Sequence, residues 1–111
     1  MSRKILPPTQ IITNQSMTGS FVSSVINTQF YDRIFLQVTW SGAAVGSAEL
    51  QYSNDGVNFT APSANKITIN NNPSNYIIDI SATSAPMVRF SYTASSSTGN
   101  MNVWISAKES S

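Results

Sequence analysis

The chain has neither cysteine nor histidine among its 111 residues. That excludes disulfide staples, thiolate nucleophiles and thiolate metal sites, and it removes the imidazole that most often moves protons near neutral pH. Charge is scarce too: six Lys or Arg stand against five Asp or Glu, a net of +1. Arg3 and Lys4 stand together near the start, so the body of the chain is almost neutral. Such a distribution offers no basic stripe for nucleic acid or an anionic membrane, and neither partner is expected. No apolar run approaches the roughly 20 residues of a membrane-spanning helix. Nor is there a glycine loop to cradle phosphate, and no cofactor is expected.

The first residues, Met1 to Pro8, carry a basic end with no apolar stretch before the prolines, so no secretion signal is expected. Asn14-Gln15-Ser16 and Asn58-Phe59-Thr60 fit the N-glycosylation pattern, but with Asn this abundant the matches read as coincidence. The acids Asp32, Glu49, Asp55, Asp79 and Glu109 have no paired spacing, and a hydrolase would need two of them to be brought together by the fold. Asn54 and Asp55 alone fall short of the ligand number that calcium takes, so no metal is expected. The chain is therefore read as a non-enzyme.

What the sequence does contain is a series of short alternating segments rich in Ser, Thr and Asn. Residues 1–14 read as an extended N-terminal arm, because Pro7-Pro8 forbids helix and no strong period follows. From there the period is two. Arg33–Trp40 places Ile34, Leu36, Val38 and Trp40 on one side of a strand. Ala48–Tyr52, Lys66–Ile69, Tyr76–Ile80, Met87–Tyr92 and Met101–Ala107 read as further strands, and Thr18–Thr28 supplies one or two edge strands. Asp55-Gly56 predicts a tight turn with a glycine bulge, returning through Val57-Asn58-Phe59. The polar runs 70–75, 81–86 and 95–100 read as connections. Seven or eight short strands with no helical period predict an all-β fold: an antiparallel two-sheet β-sandwich or jelly roll over residues 15–111. A chain of this length can bury roughly 65% of its unfolded surface, enough for one core.

With Ile34, Leu36, Val38, Trp40, Leu50, Tyr52, Ile78, Ile80, Val88, Phe90, Tyr92, Val103 and Ile105 inward, the opposite side carries Phe35, Ile77, Met87 and Trp104, interspersed with Arg33, Glu49, Asp79 and Arg89. Large apolar groups among opposite charges suit a subunit interface, though single exposed apolar residues are also common. Phe35, Ile77, Met87, Arg89 and Trp104 are the candidate oligomer contacts, and Arg89 is expected to pair with Asp79 or Glu49 across strands or subunits. Low surface charge also fits a protein held in an assembly.

The string Asn14–Phe21 through Tyr31–Ile34 resembles small virion-associated proteins of tailed bacteriophages. So do Leu36–Gly42, Val45-Gly46, Gln51–Gly56, Pro86–Thr93 and Thr98–Lys108, so the resemblance spans residues 14–108. It implies a β-sandwich component of a particle: a capsid decoration, head-fibre or neck/tail accessory subunit located in the virion. The implied partners are copies of itself, with a trimer expected, and other virion proteins. The arm would lie across a neighbour or anchor to the shell. Two positions depart from the pattern: the connection after Tyr52 is short, and Ala107 stands where Gly is usual. The Ser53–Phe59 string is also similar to carbohydrate-binding jelly rolls, which implies an alternative role in attachment to a host surface glycan. Its contacts would be Asp55, Asn58 and Phe59, or Tyr76 beside the 70–75 run.

Overall fold

The computed structural model of the chain describes residues 5–42, 44–70, 74–80, 83, 85–95 and 98–109. Among these residues nine strands form: β1 (Ile5–Ser16), β2 (Phe21–Val22), β3 (Ile26–Asn27), β4 (Arg33–Trp40), β5 (Gly46–Ser53), β6 (Lys66–Ile69), β7 (Ser74–Ile80), β8 (Met87–Ala94) and β9 (Asn100–Lys108). Among the described residues the only helical element is a 3-10 turn, Ser63–Asn65. Sheet A has the order β1-β9-β4-β7, and sheet B has the order β2-β8-β5-β6 with β3 also pairing β8. Every pairing is antiparallel. The molecule is the all-β two-sheet sandwich that the alternation predicts.

The period of two is what makes the core. Along β4 the inward residues Ile34, Leu36, Val38 and Trp40 are buried, and Phe35 and Gln37 between them are exposed. On β9 the buried set is Met101, Val103, Ile105 and Ala107. These residues meet Ala48 and Leu50 of β5 and Val88, Phe90 and Tyr92 of β8 in one hydrophobic cluster. Tyr92 also packs on Phe21, with ring centroids 5.2 Å apart. Between β2 and β3 the ladder is interrupted at buried Ser23. Its backbone N–H donates to Phe90 O (2.8 Å), and its Oγ accepts from Phe90 N (2.9 Å), so a side chain completes the pairing of β8. That satisfies a backbone donor that would be costly to bury alone.

One expectation changes. Residues 5–14 are not an arm apart from the sandwich but most of an edge strand, β1, paired with β9 from Ile5↔Lys108 to Ser16↔Asn100; residues 1–4 lie outside the described part. The pairing has three register shifts, between Leu6 and Thr9, Gln10 and Ile12, and Ile12 and Gln15. Pro7 and Pro8 fall within the first shift, where an edge strand tolerates the loss of N–H donors. The irregular stretch is tied down by Asn102 of β9, whose Oδ1 accepts from Gln10 Nε2 (2.8 Å) and from Asn14 N (2.7 Å). Buried Ile12 and Met17 then anchor the strand to the core.

The expected return strand at 57–59 is also absent. Tyr52 and Thr60 exchange two backbone hydrogen bonds, and nothing longer forms there. The partner of β5 on that side is β6. Ser74 and Asn75, expected in a loop, open β7. Asn70 stays outside the strands as expected, and 71–73 lie outside the described residues, as do 81, 82, 84, 96 and 97 in the other two connections.

Candidate functional site

The outer face of sheet A gathers three of the expected contact residues. Register places Gln37 of β4 between Trp104 of β9 and Ile77 of β7, with Gln10 of β1 beyond Trp104. One step along, Phe35 stands between Ser106 and Asp79. Phe35 and Trp104 are each 42% exposed and Ile77 is 50% exposed. Phe35 is thus diagonal to both Trp104 and Ile77, within reach for large side chains. Arg33 and Lys108 pair at one end, and there a shallow cleft of about 420 Å³ opens between Pro7-Pro8 and Phe35, with Asp79 on its rim. An apolar centre with a charged margin has the anatomy of a protein contact surface.

Met87 and Arg89 do not belong to this surface. They point outward from β8 in sheet B, on the opposite side of the sandwich. Strand parity tells that a side chain leaves the core but not from which sheet, so the five residues that the sequence groups together are divided. The same division keeps Arg89 and Asp79 from pairing within the chain. Toward Glu49 the connection is indirect: Arg89 Nε donates to Gln51 Oε1 (2.7 Å), and Gln51 Nε2 donates to Glu49 Oε2 (2.7 Å). The Arg89 guanidinium also lies 4.1 Å from the centre of the Phe59 ring, a cation–π contact.

The glycan candidates are likewise engaged elsewhere or apart. Asp55 Oδ1 accepts from Val57 N (2.9 Å), Asn58 N (2.8 Å) and Ser53 Oγ (3.0 Å). Its Oδ2 accepts from Asn58 Nδ2 (2.8 Å). Gly56 takes φ +76°, so the Asp-Gly turn forms as expected, with the carboxylate as its hub. The Asp55 carboxylate thus serves the turn, and Phe59 has Arg89 over its ring. Tyr76 is in another place, in a groove between the edges of β6 and β7 lined by Pro62, Lys66, Ile67 and Ile78.

The bonds to Asp55 favour its charged form. The backbone N–H of Asn58 contributes most, then the N–H of Val57 and the side chains of Asn58 and Ser53, and together they hold its pKa far below the ordinary 3.8. A depressed carboxyl pKa stabilises the fold above the unfolded-state value and loses that contribution as pH falls through the folded-state value. Melting midpoints of the wild type and Asp55→Ala are therefore expected to differ fully above about pH 4 and to converge in more acid solution. A constant difference down to strong acid would mean that the turn does not depend on the charge.

Glu49 and Asp79 project from opposite sheets, and Asp55 is confined to its turn. Among the described residues no three of Asp, Glu, His or Cys are grouped as metal ligands.

No family model matches the chain, and no curated protein matches its sequence. Solved structures share the fold. The PBSX exported protein XepA superposes with a TM-score of 0.68 at 10% identity, over 99% of this chain and 38% of that one. The SPBc2 prophage-derived protein YomS matches with a TM-score of 0.52 at 12% identity, over 98% of this chain and 96% of that one. A CBM4 carbohydrate-binding module matches with a TM-score of 0.52 at 9% identity, over 79% of this chain and 60% of that one. The chain thus spans less than two thirds of both XepA and the CBM4 chain. The architecture occurs in phage-derived proteins and in a carbohydrate-binding module alike.

Proposed function

We propose that the chain is a non-enzymatic structural subunit of a phage particle, a capsid decoration, head-fibre or neck/tail accessory component, joined to copies of itself and to other virion proteins through the outer face of sheet A. The observation that carries this reading is the cluster of Phe35, Ile77 and Trp104, three large apolar side chains left half open on one four-stranded sheet. Covering the 42% of Trp104 that is still open removes about 60–100 Å², a gross gain of roughly 1.5–2.5 kcal/mol before ordering costs, to which Phe35 and Ile77 add. The fold shared with XepA and YomS and the low surface charge support the same reading. With β1 paired to β9, the reading rests on this face.

The two tryptophans give a direct test. Trp40 is 7% exposed and Trp104 is open, so acrylamide quenching of a Trp40→Phe variant reports the face alone. The protein is expected in purified particles, with Trp104 shielded there and accessible in dilute solution. A protein missing from particles, with Trp104 equally accessible at every concentration, would end the reading.

A second reading, a glycan-binding module for host attachment, is favoured by one feature: Trp104 lies between Gln10 and Gln37, an aromatic platform flanked by amides. Under it the sugar site moves from the Asp55 turn to sheet A. A glycan array separates the two, since binding that is lost in Trp104→Ala supports attachment and a blank array removes it.

A further inference from the structure

The two sheets end in edges of different character. β1 is broken by its three register shifts and by Pro7-Pro8. β2 and β3 have two residues each, and β6 has four, beginning with exposed Lys66. Short strands, bulges, prolines and lysines are the devices that discourage further strands from adding. β7 has none of them. It pairs with β4 over seven residues in unbroken register, contains no proline, glycine or lysine, and leaves Tyr76 46% and Ile77 50% exposed.

We infer that β7 is the edge to which a second copy of this chain adds, antiparallel, about a two-fold axis through Ile77, making one eight-stranded sheet from two sheets A. The inference rests on the reading of the molecule as a self-assembling subunit and names the contact. Strand parity requires the centre to fall on a residue, so that outward side chains stay outward. Centring on Ile77 is the one choice that uses all seven residues. It places Ile77 against Ile77 of the second copy, Tyr76 against Ile78, Asn75 against Asp79 and Ser74 against Ile80. No like charges meet. A centre at Ile78 would instead set Asp79 against Ile77 twice, and one at Tyr76 would leave Asp79 and Ile80 unpaired within the strand. The chosen register also extends the row Trp104–Gln37–Ile77 across the axis into its copy, so the apolar face doubles. A two-fold contact closes a pair, so this edge favours even-numbered assemblies over the trimer expected from the sequence. One strand is small beside the roughly 800 Å² per partner of a stable complex, so the pair exchanges with monomer and has to be trapped.

Because the chain has no cysteine, a single introduced thiol reports its own neighbours. Under mild oxidation Ile77→Cys is expected to form a covalent dimer at least about tenfold faster than Trp104→Cys, since directly opposed Cβ atoms lie about 4.5–5.5 Å apart, near disulfide reach. Asn75→Cys mixed with Asp79→Cys is expected to link to each other in preference to themselves. Retained melting midpoints confirm that these exposed variants are folded. If Trp104→Cys links as fast as Ile77→Cys, the edge inference is overturned and the face reading stands. If Asn75→Cys links to itself as readily as to Asp79→Cys, the register is wrong and the inference falls. If no variant links faster than in urea, the edge contact does not exist, and the presence of the protein in particles decides the wider reading separately.

Discussion

Replacing Gly99 with alanine is expected to cost about 3–4 kcal/mol, a fall in melting midpoint on the order of 10–15 °C for a domain of this size. Two independent effects combine there. Gly99 has φ +96°, a conformation that costs an L side chain roughly 1–2 kcal/mol. An added Cβ would also stand 1.8 Å from the carbonyl oxygen of Ser41 and 2.6 Å from its carbon, so backbone rather than a flexible side chain has to move. The displaced segment carries Ser41 N to Asn100 O and Met17 N to Gly99 O, both 3.0 Å, which link the end of β4 and the exit of β1 to the start of β9. The loss is therefore not confined to one turn. Thermal unfolding followed by circular dichroism measures it, and a change below about 1 kcal/mol would show that the crossing of Ser41-Gly42 over Gly99 is looser than described.

Phe90→Ala is expected to cost about 3–5 kcal/mol, the range for emptying a buried phenylalanine site. Phe90 is fully buried on β8, paired with Leu50 of β5. Its backbone hydrogen bonds to Ser23 do not involve the ring and remain in the variant, so the loss reports packing between the sheets. Phe35→Ala is the matched control: the same residue type, in a strand of the same length, facing outward. It is expected to change stability by less than about 1 kcal/mol. Denaturant titration of both variants decides the assignment of faces, and equal losses would contradict it.

The contrast between those two phenylalanines marks how far the sequence can be read. β4 and β6 match the expected segments residue for residue, because inward and outward side chains alternate there without a break. The segment of β1 reads as an arm for a physical reason. Each of its register shifts resets the alternation, so Leu6, Ile11, Ile12 and Met17 show no period although all four pack into or against the core. Pro7-Pro8 argues against a central strand, and β1 is an edge. The candidate face was half legible. Parity exposed Phe35, Ile77 and Trp104 correctly, but it could not separate them from Met87 and Arg89, because sheet membership depends on long-range pairing. The proposed sugar contacts pose a different problem. Asp55 and Asn58 are residue types that bind ligands, yet in a short turn the backbone N–H groups nearby are the first donors they meet.

The pairing of Ile5 with Lys108 has a mechanical consequence. Strands β1 and β9 run in opposite directions, so the two ends of the described chain emerge side by side at one pole. Tension applied between them loads the ladder one rung at a time, because the pull runs across the strands and along their hydrogen bonds rather than shearing them. Such a subunit peels open from that pole under modest force, whereas a pull between either end and the opposite pole strains several rungs together. Tethering through Ile5 and Lys108 together would be its weakest mounting.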